Sequence, residues 1–225
     1  MSNWDDVKKN VGEKAASLVE EGMHIGLGTG STAKWVIESL SKRVQQGLKI
    51  SAIATSKESE ELARAGGIPL LDPETVTELD LCIDGADELS VDKSMIKGRG
   101  GALWREKIVA KMAREMVVII DETKLVKKLG EKAKLPIEVS FFGKEATLKE
   151  IEALGFKGAF RKEKAVLYKT DSGNAIIDLD VFLSEDLRAQ HTKLINVPGV
   201  IETGLFFDLA KRVVVGYRDG STKVI

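Results

Sequence analysis

The sequence has little of the residues that build disulfide scaffolds, metal sites or membrane spans. Of its 225 residues one is a cysteine, Cys82, and two are histidines, His24 and His191. A single cysteine excludes an intrachain disulfide and a thiolate metal cluster, and the two histidines show no metal-ligand spacing. The longest apolar runs, such as residues 116–120, have the length of a strand and are too short to span a bilayer. We therefore expect neither a structural metal nor a membrane partner.

The chain also lacks an excess of either charge. It has 34 Lys and Arg against 35 Asp and Glu, and the balance argues against a nucleic-acid partner. The acidic N-terminus, from Met1 to Asp6, lacks the basic and then apolar pattern of a signal peptide. With 43% apolar and 31% charged residues, the composition is that of a folded protein. We expect a soluble, cytoplasmic protein that holds a small charged ligand.

Helix and strand signals alternate through the first half of the chain. The strands are continuous apolar runs, which is typical of a parallel sheet buried on both faces. The pattern predicts an α/β fold, an open parallel sheet with helices on both faces that is Rossmann-like. The predicted elements are helices over 4–19, 31–46, 57–65 and 102–115, and strands over 24–28, 50–54, 79–83, 116–120, 213–217 and 222–225.

The pattern changes after Lys124 to strand, helix, hairpin, strand and helix. This order predicts a smaller inserted α+β domain that is ferredoxin-like. Its predicted elements are a strand over 135–139, a helix over 144–154, a hairpin over 159–168 turning at Glu163-Lys164, a strand over 175–179 and a helix over 184–194. We expect a catalytic domain of residues 1–127 with 199–225 and a small domain of residues 128–198.

A glycine-rich segment, Gly26-Leu27-Gly28-Thr29-Gly30-Ser31-Thr32, joins a predicted strand to a predicted helix. Such a loop offers backbone N–H groups and a helix N-terminus to an anion. A tight turn with Ser31 as helix cap is the alternative, but it needs neither three glycines nor three hydroxyls. The lysine of a P-loop is absent, and Ile53-Ala54-Thr55 stands where a dinucleotide fold would place an acid. A phosphate monoester is the best remaining ligand.

Two further loops contain charged residues. Asp84 and Asp87 follow a predicted central strand, so they are expected to face the crevice at the sheet's carboxyl edge. Catalysis, a magnesium site and a solvated loop are all compatible with this placement. The segment Lys97-Gly98-Arg99-Gly100-Gly101 offers an ammonium group and amide donors to a developing negative charge. A flexible basic loop is its alternative interpretation.

Glu106 falls in the first turns of a predicted helix. Its neighbours one turn away are Ala102, Leu103, Val109 and Ala110, so this helix face is expected to be packed. Burial disfavours the charged form of a carboxylate, which suits a general base. The alternative is a surface glutamate paired with Arg105 or Lys107.

Together these blocks resemble ribose-5-phosphate isomerases of the A type. The most specific are Asp-Gly-Ala-Asp-Glu at 84–88, Lys-Gly-x-Gly-Gly-Ala at 97–102 and Arg-Glu-Lys at 105–107. The match extends over nearly the whole chain, through residues 26–32, 55–56, 80–88, 120–121 with Lys124, 135–139, 198–200 and 204–206. Two positions depart from the pattern: Arg99 replaces a usual glycine, and Thr203 stands where a polar or histidine residue is common.

The resemblance implies an aldose–ketose isomerase that interconverts D-ribose 5-phosphate and D-ribulose 5-phosphate through a cis-enediolate. It places the enzyme in the non-oxidative pentose phosphate pathway, without cofactor or metal, as a homodimer or homotetramer. The alternative is a non-catalytic sugar-phosphate-sensing protein on a related fold. Such a sensor would keep the phosphate-binding loop but would need neither Glu106 nor Lys97.

The resemblance also implies a role for each candidate residue. Glu106 would move a proton between C2 and C1, Asp84 would assist opening of the sugar ring, and Lys97 with Asp87 would neutralise the enediolate. Lys124 and Lys8 would assist the phosphate-binding loop. The expected substrate-binding residues are Thr29, Gly30, Ser31, Thr32, Gly85, Ala86, Gly98, Arg99, Gly100, Lys124 and Lys8.

Overall fold

The computed structural model describes residues 3–180 and 186–225. The helices are α1 (Trp4–Ala16), α2 (Ser31–Gln45), α3 (Lys57–Ala65), α4 (Leu103–Met112), α5 (Lys144–Ala153) and α6 (Leu187–Ile195), with one 3₁₀ turn at Glu122–Lys124. The strands are β1 (His24–Leu27), β2 (Ser51–Ala54), β3 (Leu79–Gly85), β4 (Glu88–Leu89), β5 (Met95–Ile96), β6 (Ala113–Asp121), β7 (Leu135–Val139), β8 (Lys157–Phe160), β9 (Lys162–Glu163), β10 (Val166–Leu167), β11 (Ala175–Asp180), β12 (Val200–Thr203), β13 (Leu205–Phe206), β14 (Ala210–Gly216) and β15 (Thr222–Val224). None of these helices is long and apolar enough to cross a membrane.

The chain forms two compact units. The large unit comprises Met1–Ala86, Arg105–Leu125 and Asp208–Ile225, and the small unit comprises Asp87–Trp104 and Val126–Phe207. Residues 87–104, 126–127 and 199–207 thus belong to the small unit, whereas the sequence prediction assigned all three segments to the large domain. The two compact units do not test which parts of the chain fold independently. The predicted domains, residues 1–127 with 199–225 and residues 128–198, therefore stay a prediction.

A six-stranded sheet forms the centre of the large unit, in the order β15-β14-β6-β3-β1-β2. Strands β14, β6, β3, β1 and β2 run parallel, and β15 pairs with β14 as an antiparallel edge strand. The carboxyl ends of β1, β3 and β6 therefore meet at one edge of the sheet. The predicted open parallel sheet is confirmed.

Helices cover both faces of this sheet. On one face, Ile25 and Leu27 of β1 join a core cluster with Val11 of α1 and Ile37 of α2. On the other face α4 packs against the sheet, and a Cβ on Gly26 would lie 2.5 Å from the Cγ1 atom of Val109. Alternate residues of one strand thus face opposite helix layers, as a sheet buried on both faces requires.

The small unit contains a four-stranded antiparallel sheet in the order β12-β7-β11-β8. Along the chain its elements run β7, α5, β8, β11, α6, β12, which is the βαββαβ order of ferredoxin-like folds. Ile137, Ile177, Ile151 of α5 and Leu194 of α6 are buried in its core. The predicted ferredoxin-like part of the fold class is confirmed.

The same unit has short strands that sequence reasoning missed. β13, β5 and β4 form a three-stranded antiparallel sheet from three two-residue strands. Runs of two residues are too short for a periodicity signal. The predicted hairpin turn at Glu163-Lys164 lies one residue later, because Lys164 and Ala165 take the positive φ values between β9 and β10.

Three helix predictions need correction. The helix predicted over 4–19 ends at Ala16, because the N–H groups of Leu18 and Val19 donate three residues back, to the carbonyls of Ala15 at 3.0 Å and Ala16 at 3.2 Å. The helix predicted over 102–115 ends at Met112, because the backbone from Ala113 onward pairs with β3 as part of β6. The helix predicted from residue 184 is described from Leu187, with Asp186 as its cap. Residues 184 and 185 lie outside the described part of the chain.

Candidate active site

The glycine-rich loop connects β1 to α2 at the carboxyl edge of the large sheet. Gly30 is the N-cap residue of α2, with φ of 96°, and Ser31 is the first helical residue. The alternative in which Ser31 caps the helix is therefore wrong. Since Gly30 contributes no capping side chain, the first-turn amides of α2 around Ser31 and Thr32 suit an external anion.

Asp84, near the end of β3, is tied to this loop. Its carboxylate is fully buried, and its Oδ1 atom accepts hydrogen bonds from the Thr29 N–H at 3.1 Å and the Gly85 N–H at 2.7 Å. A Cβ on Gly28 would lie 2.1 Å from that Oδ1 atom. Only glycine at position 28 lets the loop and the carboxylate approach so closely. Ala86 follows directly after this strand.

Hydroxyl groups of Thr55 and Ser59 hydrogen-bond to the loop and to the end of β1. The Oγ1 atoms of Thr29 and Thr55 lie 2.7 Å apart, and the Thr55 hydroxyl also donates to the Leu27 carbonyl at 3.1 Å. The Ser59 hydroxyl donates to the Gly28 carbonyl at 2.6 Å. Thr55 and Ser59 were not among the predicted site residues. The signal available for Thr55 was its position directly after β2.

The two predicted phosphate lysines lie on different elements. Lys124 ends the 3₁₀ turn after β6, which the Asp121 carboxylate caps by accepting the Thr123 N–H at 3.0 Å. Since β6 pairs with β3 in parallel, this turn follows the same edge of the sheet as Asp84. Lys8 lies on α1, where it forms an ion pair with Asp5 at 3.7 Å. Neither lysine has a hydrogen bond to the glycine-rich loop among the described residues.

Glu106 lies in α4, one turn before Val109. Its side chain is 3% exposed, so the alternative that places Glu106 on the surface is wrong. Val109 contacts the sheet above Gly26, and residues three apart share one helix face. Glu106 is therefore a buried carboxylate on the face of α4 that packs against the sheet.

In the small unit, the three-stranded sheet places Asp87 and Lys97. Asp87 precedes β4 and its N–H donates to the Ile96 carbonyl at 2.9 Å; Lys97 follows β5 and its N–H donates to the Gly204 carbonyl at 2.9 Å. The Lys97 side chain is 3% exposed, with Nζ 5.5 Å from the centroid of the Phe206 ring. The Lys97 side chain is therefore buried, and it is not part of a flexible basic loop.

The lysine–glycine loop, residues 97–101, has a fixed conformation. The Arg99 N–H donates to the Asp87 Oδ2 atom at 2.9 Å, and the Gly101 N–H donates to the Gly98 carbonyl at 2.9 Å. Gly98 and Gly101 have φ values of 112° and 79°. Arg99 does not have a positive φ, so its backbone conformation accommodates a side chain. This explains why arginine is tolerated at a position where the family usually has glycine.

Two side chains that sequence reasoning missed bind the same loop. Arg161 Nη1 donates to the carbonyls of Gly98 at 3.0 Å and Arg99 at 2.9 Å, and the Tyr168 hydroxyl donates to the Gly100 carbonyl at 3.3 Å. Burial raises the pKa of Tyr168, and the positive charge of Arg161 opposes this shift only in part. No local pattern marks either residue, because both are distant in sequence from residues 97–101.

The arrangement offers groups for proton transfer and for binding anions. The large unit brings Thr29 together with Asp84 and contains the buried Glu106; the small unit brings Asp87 together with Arg99 and contains the buried Lys97. Within residues 3–180 and 186–225, no three His, Cys, Asp or Glu side chains are grouped so that they could hold a metal ion. Buried carboxylates can move protons, and a buried ammonium group with amide donors can stabilise an oxyanion.

Comparisons with known proteins agree on one family. Residues 51–220 match the family model for ribose 5-phosphate isomerase A (phosphoriboisomerase A). The chain is 49% identical over 222 residues to the ribose-5-phosphate isomerase A of Protochlamydia amoebophila, covering 97% of this chain and 94% of that protein.

Solved structures give the same result. The structure of ribose 5-phosphate isomerase A from Methanocaldococcus jannaschii superposes with a TM-score of 0.92 at 37% identity, covering 99% of each chain. A D-ribose-5-phosphate isomerase in complex with phospho-erythronic acid gives a TM-score of 0.94 at 36% identity, covering 100% of this chain and 99% of that one. On this sequence and structural similarity, the chain belongs to the ribose 5-phosphate isomerase A family.

Proposed function

We propose that the protein is an aldose–ketose isomerase that interconverts D-ribose 5-phosphate and D-ribulose 5-phosphate. The observation that supports this most directly is Glu106, a carboxylate that is 3% exposed and lies at the start of α4. A sensor of sugar phosphates would have no use for a buried base. The family of the chain and its 49% identity to a ribose-5-phosphate isomerase A support the same reaction.

Glu106 is the general base of the proposed mechanism. Its carboxylate removes the proton from C2 of the open-chain aldose. The electrons of that C–H bond form the C1–C2 double bond of a cis-enediolate, and the π electrons of the C1 carbonyl move onto O1. The same group returns the proton to C1, while the hydroxyl proton passes from O2 to O1. A positioned acid–base group contributes typically about 10²- to 10⁴-fold to the rate.

Lys97 and Asp87, with the amides of the lysine–glycine loop, hold the oxygens of the enediolate. Lys97 is buried, so its charge is weakly screened by water and acts strongly on a nearby oxyanion. The Asp87 carboxylate fixes the loop through the Arg99 N–H at 2.9 Å. These contacts support a loop whose donors are in place before the substrate binds.

The phosphate group binds at the N-terminus of α2. Thr29, Gly30, Ser31 and Thr32 offer hydroxyl and amide donors there, and the helix dipole favours an anion. We place Lys124 beside this group and Lys8 at its periphery. Gly85 and Ala86 border the substrate next to Asp84, whose carboxylate assists ring opening by exchanging a proton with the ring oxygen.

The isomerase assay tests this proposal directly. Purified protein is incubated with D-ribose 5-phosphate in buffer without added metal or cofactor, and formation of ribulose 5-phosphate is measured. The expected result is catalytic turnover. Binding of ribose 5-phosphate without conversion would favour the sugar-phosphate sensor and overturn the proposed activity.

We further propose that the enzyme acts in the cytoplasm as a homodimer or homotetramer. Membership of the chain in the ribose 5-phosphate isomerase A family supports both parts of this proposal. Light scattering on the purified protein measures the assembly, and a mass of a single 24.5 kDa chain at working concentration would contradict an oligomer.

A further inference from the structure

We propose that Arg161 is a positioning residue of the isomerase. It orients the peptide groups of the lysine–glycine loop for binding of the enediolate, and this inference rests on the proposed function. Arg161 lies between β8 and β9 of the small unit and is absent from the candidate site residues that the sequence indicated.

The guanidinium group of Arg161 connects the loop to the four-stranded sheet. Nη1 donates to two successive loop carbonyls, those of Gly98 at 3.0 Å and Arg99 at 2.9 Å. Nε and Nη2 donate to the two carboxylate oxygens of Asp178 at 2.9 and 2.5 Å. A paired contact of this kind fixes the plane of the guanidinium group as well as its position.

Peptide geometry extends this constraint to the amide groups. The carbonyl of one residue and the N–H of the next lie in one plane and point in opposite directions across a trans peptide. Fixing the Arg99 carbonyl on Arg161 therefore directs the Gly100 N–H away from Arg161. In the same way, fixing the Gly98 carbonyl orients the Arg99 N–H toward the Asp87 carboxylate, to which it donates a hydrogen bond at 2.9 Å.

The support behind Arg161 is a central strand of the four-stranded sheet. Asp178 belongs to β11, which pairs with β7 on one side and β8 on the other. Tyr168 adds a second contact, since its ring lies 5.7 Å from the guanidinium carbon and its hydroxyl donates to the Gly100 carbonyl at 3.3 Å. The carbonyls of Gly98, Arg99 and Gly100 are thus all bound by side chains of the small unit.

The experiment compares kcat and KM for ribose 5-phosphate in the wild type and in Arg161→Gln. The variant keeps the length of the side chain but loses its charge and its paired contacts. Small displacements of groups that bind the reacting atoms cost up to about 10²-fold in rate, so we expect kcat to fall by about 10- to 100-fold with KM nearly unchanged. Arg161→Lys, which keeps the charge but not the planar group, should recover only part of kcat.

Two further variants complete the test. Asp178→Asn weakens the support of Arg161 and should lower kcat in the same direction. Asp180→Asn is the matched control, because Asp180 lies two residues away on β11 and pairs with Lys134 in an exposed contact at 2.9 Å. We expect Asp180→Asn to keep the wild-type kcat.

The outcomes separate this inference from the proposed function. A wild-type protein without isomerase activity would overturn the function itself. If the wild type is active, two results would overturn the positioning role alone. One is an unchanged kcat in Arg161→Gln, and the other is an equal loss of kcat in Asp178→Asn and Asp180→Asn. If Arg161→Gln does not fold, as judged by circular dichroism, Asp178→Asn against Asp180→Asn decides the question.

Discussion

The Asp84 carboxylate accepts a hydrogen bond from the Thr29 N–H at 3.1 Å, which connects the end of β3 to the loop after β1. The two residues are 55 positions apart in sequence. They meet because β1 and β3 are parallel neighbours in the sheet. The contact connects the group proposed to open the sugar ring with the loop proposed to bind the phosphate.

Gly28→Ala should disrupt this contact. The new Cβ would lie 2.1 Å from the Asp84 Oδ1 atom and 2.6 Å from its Cα atom, so both side chain and backbone must move. We expect a loss of about 1–3 kcal/mol in the free energy of unfolding, together with a fall in kcat/KM. Chemical denaturation and the isomerase assay measure the two effects.

Gly22→Ala is the control for that variant. Gly22 has φ of 82° and nothing within 4 Å of a built Cβ, so this substitution strains the backbone without touching Asp84. We expect reduced stability with kcat preserved. Equal losses of kcat in both variants would contradict the role assigned to the Gly28–Asp84 approach.

Glu106→Gln should remove nearly all turnover while substrate binding persists. The amide is close in size to the carboxylate but cannot accept the C2 proton, so we expect kcat to fall by about 10²- to 10⁴-fold. Calorimetric titration with ribose 5-phosphate checks that binding survives. Glu60→Gln, which alters an exposed glutamate paired with Arg64, serves as the control and should be fully active. A fully active Glu106→Gln enzyme would disprove the assignment of the base.

Lys97→Met should lower kcat by about 10²- to 10³-fold, the usual effect of losing one oxyanion-stabilising group. Methionine fills much of the space of the lysine stem beside Phe206 but has no charge. Lys134→Met is the control, because Lys134 is exposed in its ion pair with Asp180. The Lys97 role would be refuted by wild-type kcat in Lys97→Met.

The pKa of Tyr168 is raised mainly by burial, so folding favours its protonated form. Its contribution to stability is present below the ordinary tyrosine pKa of about 10 and is lost as pH rises through the raised value. Above about pH 10, the wild type should therefore lose stability faster than Tyr168→Phe, by at most about 1.4 kcal/mol per pH unit. Urea denaturation of both proteins measures this difference, and parallel pH profiles would contradict the prediction.

Treatment with EDTA should leave the isomerase activity unchanged. In the proposed mechanism Lys97 and the loop amides neutralise the enediolate, so no step depends on a metal ion. The assay is run before chelation, after it, and after addition of Mg²⁺. Activity that is lost to the chelator and restored by magnesium would favour the metal interpretation of Asp84 and Asp87.

Local sequence was sufficient to predict most helices and strands of the fold. The predicted helix 57–65 coincides with α3, and the predicted strand 135–139 coincides with β7. Periodicity and glycine positions are short-range signals, and they are strong where an element is long. They failed at the end of α4, where pairing of Ala113 with Leu79 outweighs the local preference for a helix.

Candidate site residues could be selected from the sequence wherever they lie in continuous blocks. The segments 84–88, 97–102 and 105–107 each place chemically distinctive residues within a few positions, and the resemblance identified them. Lys97 and Glu106 are both buried, and the roles expected for them stay predictions. Thr55 lies in the matching block 55–56 but was given no role, and Ser59, Arg161 and Tyr168 were missed because each is an ordinary residue in its own segment.

The sequence by itself determined the order of the elements, the fold class and the chemical groups available for catalysis. Tertiary structure alone decided that Gly28 must be small because Asp84 lies against it, and that Arg161 binds the carbonyl of Gly98, 63 residues away. The physical reason is that hydrogen bonds and close contacts depend on distance in space. Strand pairing brings such groups together, and no local pattern in the chain specifies it.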